Sequence, residues 1–195
     1  EVSVKVDGNK VKPISEHLIG IFFEDINYAA DGGLYAELVQ NRDFEYSSQD
    51  HRNWNSQYAW SVKNGNAVFT IAEENPIHAN NPHYAVLDIQ QPGASLVNTG
   101  FDGIAVKKGE KYDFSFFGKM LQGKGGKVKV ALVNKEGKEI GQTIVKVTSA
   151  DWKKQKAVMS VTEDAADATL AVTPQTTGKY AFDMISLFPQ NTFKG

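Results

Sequence analysis

Cysteine is missing from this 195-residue chain altogether. Disulfide staples and thiolate zinc sites are thereby excluded, while the compartment stays open, because exported bacterial proteins also do without cysteine. Charge of one sign is missing too: 21 basic and 23 acidic side chains leave a formal net charge of −2. No basic run carries interleaved aromatics, so nucleic acid is not expected as a partner. No apolar run is long enough to span a bilayer, and no secretory leader stands at the amino terminus, so no membrane partner is expected. A mature exported protein stripped of its leader would read the same way. His17, His51, His78 and His83 lack the spacing of zinc ligands. Neither a phosphate-cradling glycine loop nor a serine elbow is present. Helical periodicity is scarce everywhere but in one stretch.

That stretch is Gly20 to Glu45, GIFFEDINYAADGGLYAELVQNRDFE. Ile19, Ile21, Phe22 and Phe23 form an apolar run that reads as a strand buried on both faces. Glu24, Asp25 and Asn27 follow at its end. Asp31-Gly-Gly then supplies a turn and an N-cap, and Leu34, Tyr35, Leu38 and Val39 recur at helical spacing, which predicts a helix over 32–40. A buried strand delivering carboxylates at its C-terminal end, then a helix, is the opening unit of a βα barrel. No second such unit follows, so this barrel piece is expected to be incomplete and the chain to be a fragment.

The remainder reads as β-structure. Val2, Val4 and Val6 alternate ahead of Asp7-Gly-Asn, predicting a hairpin or edge strand over 1–11. Strands are predicted at 67–72, 84–90, 95–98, 102–106, around Tyr112, Phe114 and Phe116, and at 127–133, 140–147, 152–161, 168–173 and 179–188, with Asn134-Lys-Glu-Gly as a hairpin turn. About ten short, regularly spaced strands predict a mainly β chain, an antiparallel sandwich of jelly-roll type. The expected division is 1–43 for the barrel piece, 44–188 for the sandwich and 189–195 for a return to the barrel.

Four groups of residues carry candidate chemistry. Glu24 and Asp25 are strand neighbours and point to opposite faces, so only one can look into a barrel mouth; Glu24 is the choice, with Asn27 beside it. Glu45, near the start of the sandwich, and Asp183, near its end, could meet if first and last strands lie side by side. Two carboxylates suit calcium, a hard cation wanting oxygen, or are ordinary edge-strand polar groups. Trp54, Tyr58 and Trp60 sit in the polar stretch 47–66 and are candidates for stacking on sugar rings. Tyr84, Phe101 and Trp152 are further aromatics, Trp152 reading as structural and any of them able to fill a core.

The motifs Gly20-Ile-Phe-Phe-Glu-Asp-Ile-Asn27, Asp31 to Arg42, Asn81-Pro-His-Tyr84, Gly100-Phe-Asp-Gly-Ile104 and Ile185-Ser-Leu-Phe-Pro189 together resemble the α-L-arabinofuranosidases of glycoside hydrolase family 51. The resemblance is to the subgroup with a carbohydrate-binding-like sandwich inserted after the first barrel unit. Residues 45–188 also resemble carbohydrate-binding families 4 and 9, which open on Asn-x-x-Phe-Glu and close on an Asp before an Ile/Val-Ser-Leu strand. The resemblance implies a secreted or periplasmic retaining hydrolase as parent, acting on arabinose-containing polysaccharide or oligosaccharide. It implies that Glu24 contacts arabinose, that calcium at Glu45 and Asp183 is structural, and that catalysis needs no cofactor. The family's acid and nucleophile glutamates lie on later barrel strands, beyond this sequence. The chain is therefore expected to be inactive alone and to have the rest of the barrel as partner. Two roles for the sandwich stay open: a sugar-binding module, or a body that only packs against the barrel.

Overall fold

The computed structural model describes residues 2–4 and 35–192. Eleven strands run in chain order: β1 (Trp60–Lys63), β2 (Ala67–Ala72), β3 (Tyr84–Ile89), β4 (Ser95–Asn98), β5 (Ile104–Val106), β6 (Lys111–Gln122), β7 (Gly126–Val133), β8 (Glu139–Val147), β9 (Lys153–Ser160), β10 (Ala165–Pro174) and β11 (Gly178–Pro189). They form two antiparallel sheets. One has the order β1-β4-β10-β7-β8, with β5 beside β10; the other is β2-β3-β11-β6-β9.

Alternation dictates which face each strand buries. Along β6, Tyr112, Phe114, Phe116 and Met120 point inward, while Lys111, Asp113, Ser115 and Phe117 point away. Leu132, Leu170, Val172, Tyr180, Phe182 and Leu187 arrive from the neighbouring strands, so one continuous core fills the space between the sheets. The Asn134–Gly137 turn forms as predicted: the Asn134 side chain accepts from the Lys138 amide at 2.8 Å, and Gly137 takes φ = 83°, which costs a glycine little.

Ten of the eleven strands overlap predicted ones; β1 lies in the polar stretch 47–66, where no strand is predicted. Residues 2–4 carry no sheet pairing, and the rest of the predicted 1–11 hairpin lies outside the described residues. So do the predicted strand at 19–23, with Glu24 and Asn27.

The helix predicted over 32–40 is not found in its described part. Residues 36–38 have no regular secondary structure, and a bend at Val39 leads into a turn over 40–43. The physical reason lies in β11, whose pairing with β3 ends at Phe182. Beyond that point one edge of β11 needs a partner, and the segment 37–42 supplies it. The Leu38 amide donates to the Leu187 carbonyl at 3.1 Å, and the Ile185 amide donates to the Arg42 carbonyl at 2.9 Å. Glu37 replaces a missing backbone carbonyl by accepting the Leu187 amide at 2.9 Å. On the other sheet Asn98 mimics a peptide, accepting from the Gln40 amide at 3.2 Å and donating to the Gln40 carbonyl at 2.9 Å. A segment pinned to both sheets cannot also satisfy its amides at i−4.

Candidate carbohydrate-binding site and carboxylate cluster

The signature Asn41-x-x-Phe44-Glu45 builds the region around which the candidate residues gather. Asn41 is 2% exposed. Its side-chain amide donates to the carbonyls of Ser56 and Tyr58 at 3.1 and 3.0 Å, and its side-chain oxygen accepts from the Tyr46 amide at 3.1 Å. It thus ties both ends of the loop 46–58 to the sandwich. Phe44 enters the core against Trp60, with ring centroids 5.3 Å apart.

On this loop the aromatics stack. Tyr46 and Trp54 lie 3.9 Å apart at 20°, Tyr58 is 6.1 Å from Tyr46, and the His51 ring is 5.3 Å from Trp54. Tyr46, Trp54 and Tyr58 are half-buried, so rings ordered by one another still reach the surface. Trp60 is different: at 6% exposure, with its indole N–H donating to the Asn41 carbonyl at 2.9 Å, it belongs to the core and presents no face to a sugar. Tyr46 was missed in the sequence because a single tyrosine beside Glu45 has no periodic signal. It becomes visible only when the Asn41 hub folds 46 against 54–58.

Tyr84, buried, and Trp152, half-buried, pack together on the outer face of the five-stranded sheet. The Lys119 ammonium lies 5.0 Å from the Tyr84 ring and 4.5 Å from the Trp152 ring. Lys119 and the Trp152 indole both donate to the Asn75 carbonyl at 2.9 Å, and the Tyr84 hydroxyl donates to the Glu74 carbonyl at 2.7 Å. Burial pushes the Lys119 pKa down, against the field of Glu74, and pushes the Tyr84 pKa up, with Glu74 adding to it. Trp152 stands edge-on to Tyr84, ring centroids 5.1 Å apart; Phe101 is half-buried next to Gly100.

Glu45 and Asp183 do come to one corner, though not because first and last strands pair. β11 is the centre of its sheet and β1 the edge of the other; the 37–46 segment carries Glu45 past β11. Asp183 is fully buried. It accepts from the Met184 amide at 2.7 Å and from the Asn81 side chain at 2.9 Å. Burial pushes its pKa up to about 8; the Met184 amide and Arg42 pull it down, while Asp43 and Glu45 push it further up. Glu45 is held by His83, whose main-chain amide donates to one oxygen at 2.8 Å and whose Nδ1 lies 2.5 Å from the other. The His83 Nε2 meets Glu73 at 3.2 Å. Nothing in the histidine spacing announced that contact. Among the described residues no group of three or more His, Asp or Glu side chains is placed to hold a metal ion. Calcium at Glu45 and Asp183 would need oxygens beyond the two carboxylates.

A family model described as a carbohydrate binding domain, CBM_4_9, matches residues 36–179. The extracellular exo-alpha-L-arabinofuranosidase of Streptomyces chartreusis is 37% identical over 196 residues, covering all of this chain and 22% of that protein. Alpha-L-arabinofuranosidase 2 of Arabidopsis thaliana is 27% identical over 206 residues, again covering all of this chain and 30% of its own length. The chain thus spans less than a third of these relatives. Among solved structures, arabinose-bound MgGH51 a-L-arabinofuranosidase matches with a TM-score of 0.76 and 28% identity, over 88% of this chain and 29% of that one. The CBM22-1–CBM22-2 tandem domain of Paenibacillus barcinonensis Xyn10C matches at a TM-score of 0.57 and 14% identity, over 80% of this chain and 45% of that one, a likeness of fold.

Proposed function

Since the chain belongs to the CBM_4_9 carbohydrate-binding domain family, we propose that its sandwich binds arabinose-containing plant polysaccharide as a non-catalytic part of a secreted α-L-arabinofuranosidase. The observation that carries this reading is the surface stack of Tyr46, Trp54 and Tyr58, braced from below by Asn41. A furanose or pyranose ring presents C–H groups on one face, and an aromatic face already fixed by its neighbours receives them at little further entropic cost. The fold matches to arabinofuranosidases over nearly the whole chain support the assignment of the parent enzyme.

Affinity electrophoresis in gels containing arabinoxylan or arabinan tests it. The chain is expected to be retarded, and Trp54→Ala to weaken retention about tenfold, which corresponds to about 1.4 kcal/mol. Trp54 lies in a surface loop, so the melting temperature should move little. Equal migration with and without polysaccharide would favour the rival reading, in which the sandwich only packs against the barrel.

The non-catalytic half of the proposal follows from the carboxyls. Retaining hydrolysis needs two of them roughly 5–5.5 Å apart across an accessible glycosidic bond. Where carboxyls gather among the described residues, Asp183 is fully buried and Glu45 is engaged by His83. The purified chain is expected to release no nitrophenol from an arabinofuranoside at any pH from 4 to 8; turnover that co-purifies with the chain and is lost in Asp183→Asn would refute this.

A further inference from the structure

The outer face of the sheet carries a second feature that the loop aromatics do not use. Opposed residues on antiparallel strands share a face. The register therefore aligns Ser186, Ser115 and Lys156 in one row across β11, β6 and β9, with Phe188, Asp113 and Val158 in the next and Asp183, Phe117 and Lys154 on the other side. A groove of about 690 Å³ runs over the first two rows and reaches Lys154 of the third, within the range of roughly 300–1,000 Å³ common for ligand sites. At one end Tyr35, 47% exposed, packs on Phe188 with ring centroids 5.4 Å apart. At the other end stand Lys154 and Lys156, exposed and, among the described residues, without an ion pair, the Lys154 ammonium lying 5.5 Å from the centre of the Phe117 ring. Two further charges line the groove: Arg42, whose buried Nε has no hydrogen-bond partner among the described residues, and Asp113. Arg42 faces the buried Glu37 carboxylate at 3.8 Å, and Asp113 accepts from the Gln190 side chain at 2.7 Å. The floor is thus aromatic at one side, hydroxyl-bearing in the middle and cationic at the other.

We propose that this groove is a second carbohydrate site, and that its ligand is an acidic oligosaccharide bearing a uronate carboxylate. Strands lie about 4.8 Å apart, so the distance from β11 to β9 is about 10 Å, the span of two sugar units. One ring rests on Phe188 and Tyr35, hydroxyls meet Ser115 and donate to the oxygen of Ser186, whose own proton goes to Glu37 at 2.6 Å, and the carboxylate of the next unit lies against Lys156 and Lys154. The inference rests on the proposed function only in taking a saccharide as ligand; the residues and the charge selectivity are its own.

The test compares a glucuronate-bearing xylo-oligosaccharide with the same compound after carboxyl reduction, by titration calorimetry at low salt. A neutral arabino-oligosaccharide serves as reference for the loop site. The acid is expected to bind about tenfold more tightly than its reduced form, with the gain lost in Lys154→Gln/Lys156→Gln and compressed at 1 M salt, where the screening length falls to roughly 3 Å. Trp54→Ala should weaken the neutral ligand and leave the acid's tenfold gain intact. Equal affinity of acid and reduced forms overturns the inference while leaving the proposed function standing. A gain that survives the double lysine variant also overturns it, by placing the carboxylate elsewhere. If no saccharide binds, both fall.

Discussion

Glu37→Ala is expected to destabilise the sandwich by about 3–5 kcal/mol, the cost of removing one partner from a buried, charge-assisted set. Glu37 is 1% exposed. One carboxylate oxygen accepts from the amides of Leu38, Val39 and Leu187 at 3.0, 3.0 and 2.9 Å, and the other accepts from the Ser186 hydroxyl at 2.6 Å. Alanine leaves the buried Val39 and Leu187 amides and the Ser186 hydroxyl without that acceptor, while the Leu38 amide keeps the Leu187 carbonyl, and it loosens the segment that covers the open edge of β11. At roughly 2–4 °C per kcal/mol for a chain of this size, the melting temperature should fall by about 10 °C. Glu37→Gln keeps an acceptor oxygen for the amides and can donate to Ser186, so it should cost only about 1 kcal/mol. Denaturation curves for the two variants separate the hydrogen bonds from the charge. Equal, small losses in both would mean that the 37–42 segment does not hold β11.

The same residue shows where the sequence could and could not be read. Strands such as β2 and β4 were legible to the residue, because alternation between glycine, proline and asparagine clusters depends only on local order. The Leu34, Tyr35, Leu38 and Val39 spacing is equally clear, yet 35–40 forms no helix. Its amides are claimed by Leu187 and Asn98, partners 149 and 58 residues away, which no local pattern reveals. β1 was hidden for a related reason. Trp60 reads as a loop aromatic among polar neighbours and becomes core only because Phe44 and Asn41 receive it. Within the candidate site, Trp54 and Tyr58 were legible as aromatics in a polar loop, whereas Tyr46 and His83 needed the fold. Strand order was the ground for expecting Glu45 and Asp183 to meet, and the strands do not pair that way, although Glu45 lies near enough to act on the Asp183 carboxyl. That approach arises from the edge-covering segment, and the partner of Glu45 is a histidine with no telling spacing.

That corner carries the second large expected effect. Asp183 is fully buried, and its pKa stands at about 8 rather than the ordinary 3.8. Unfolding therefore releases a proton at every pH between those two values. Stability from the protonated, buried carboxyl is complete below about pH 4 and is lost as pH rises through 8, at about 1.4 kcal/mol for each pH unit in that window. Asp183→Asn has no proton to release. Its side-chain oxygen can accept from the Met184 amide, and Asn81 can turn its amide to offer an oxygen to the new N–H group. In chelator, the variant's stability relative to wild type is thus expected to rise by about 2–3 kcal/mol between pH 5 and pH 7.5. Urea melts at the two pH values measure it, and parallel curves would show that Asp183 is ionised in the fold. Millimolar calcium decides what keeps the corner together. With Glu45 already engaged by His83, the wild-type melting temperature is expected to be the same in chelator and in calcium. A ligated ion would instead stabilise wild type by roughly 2.7 kcal/mol at a hundredfold excess over its dissociation constant, and Asp183→Asn would forfeit that gain. A calcium-dependent rise confined to wild type would therefore return the corner to a metal, with Asp183 ionised by its cation.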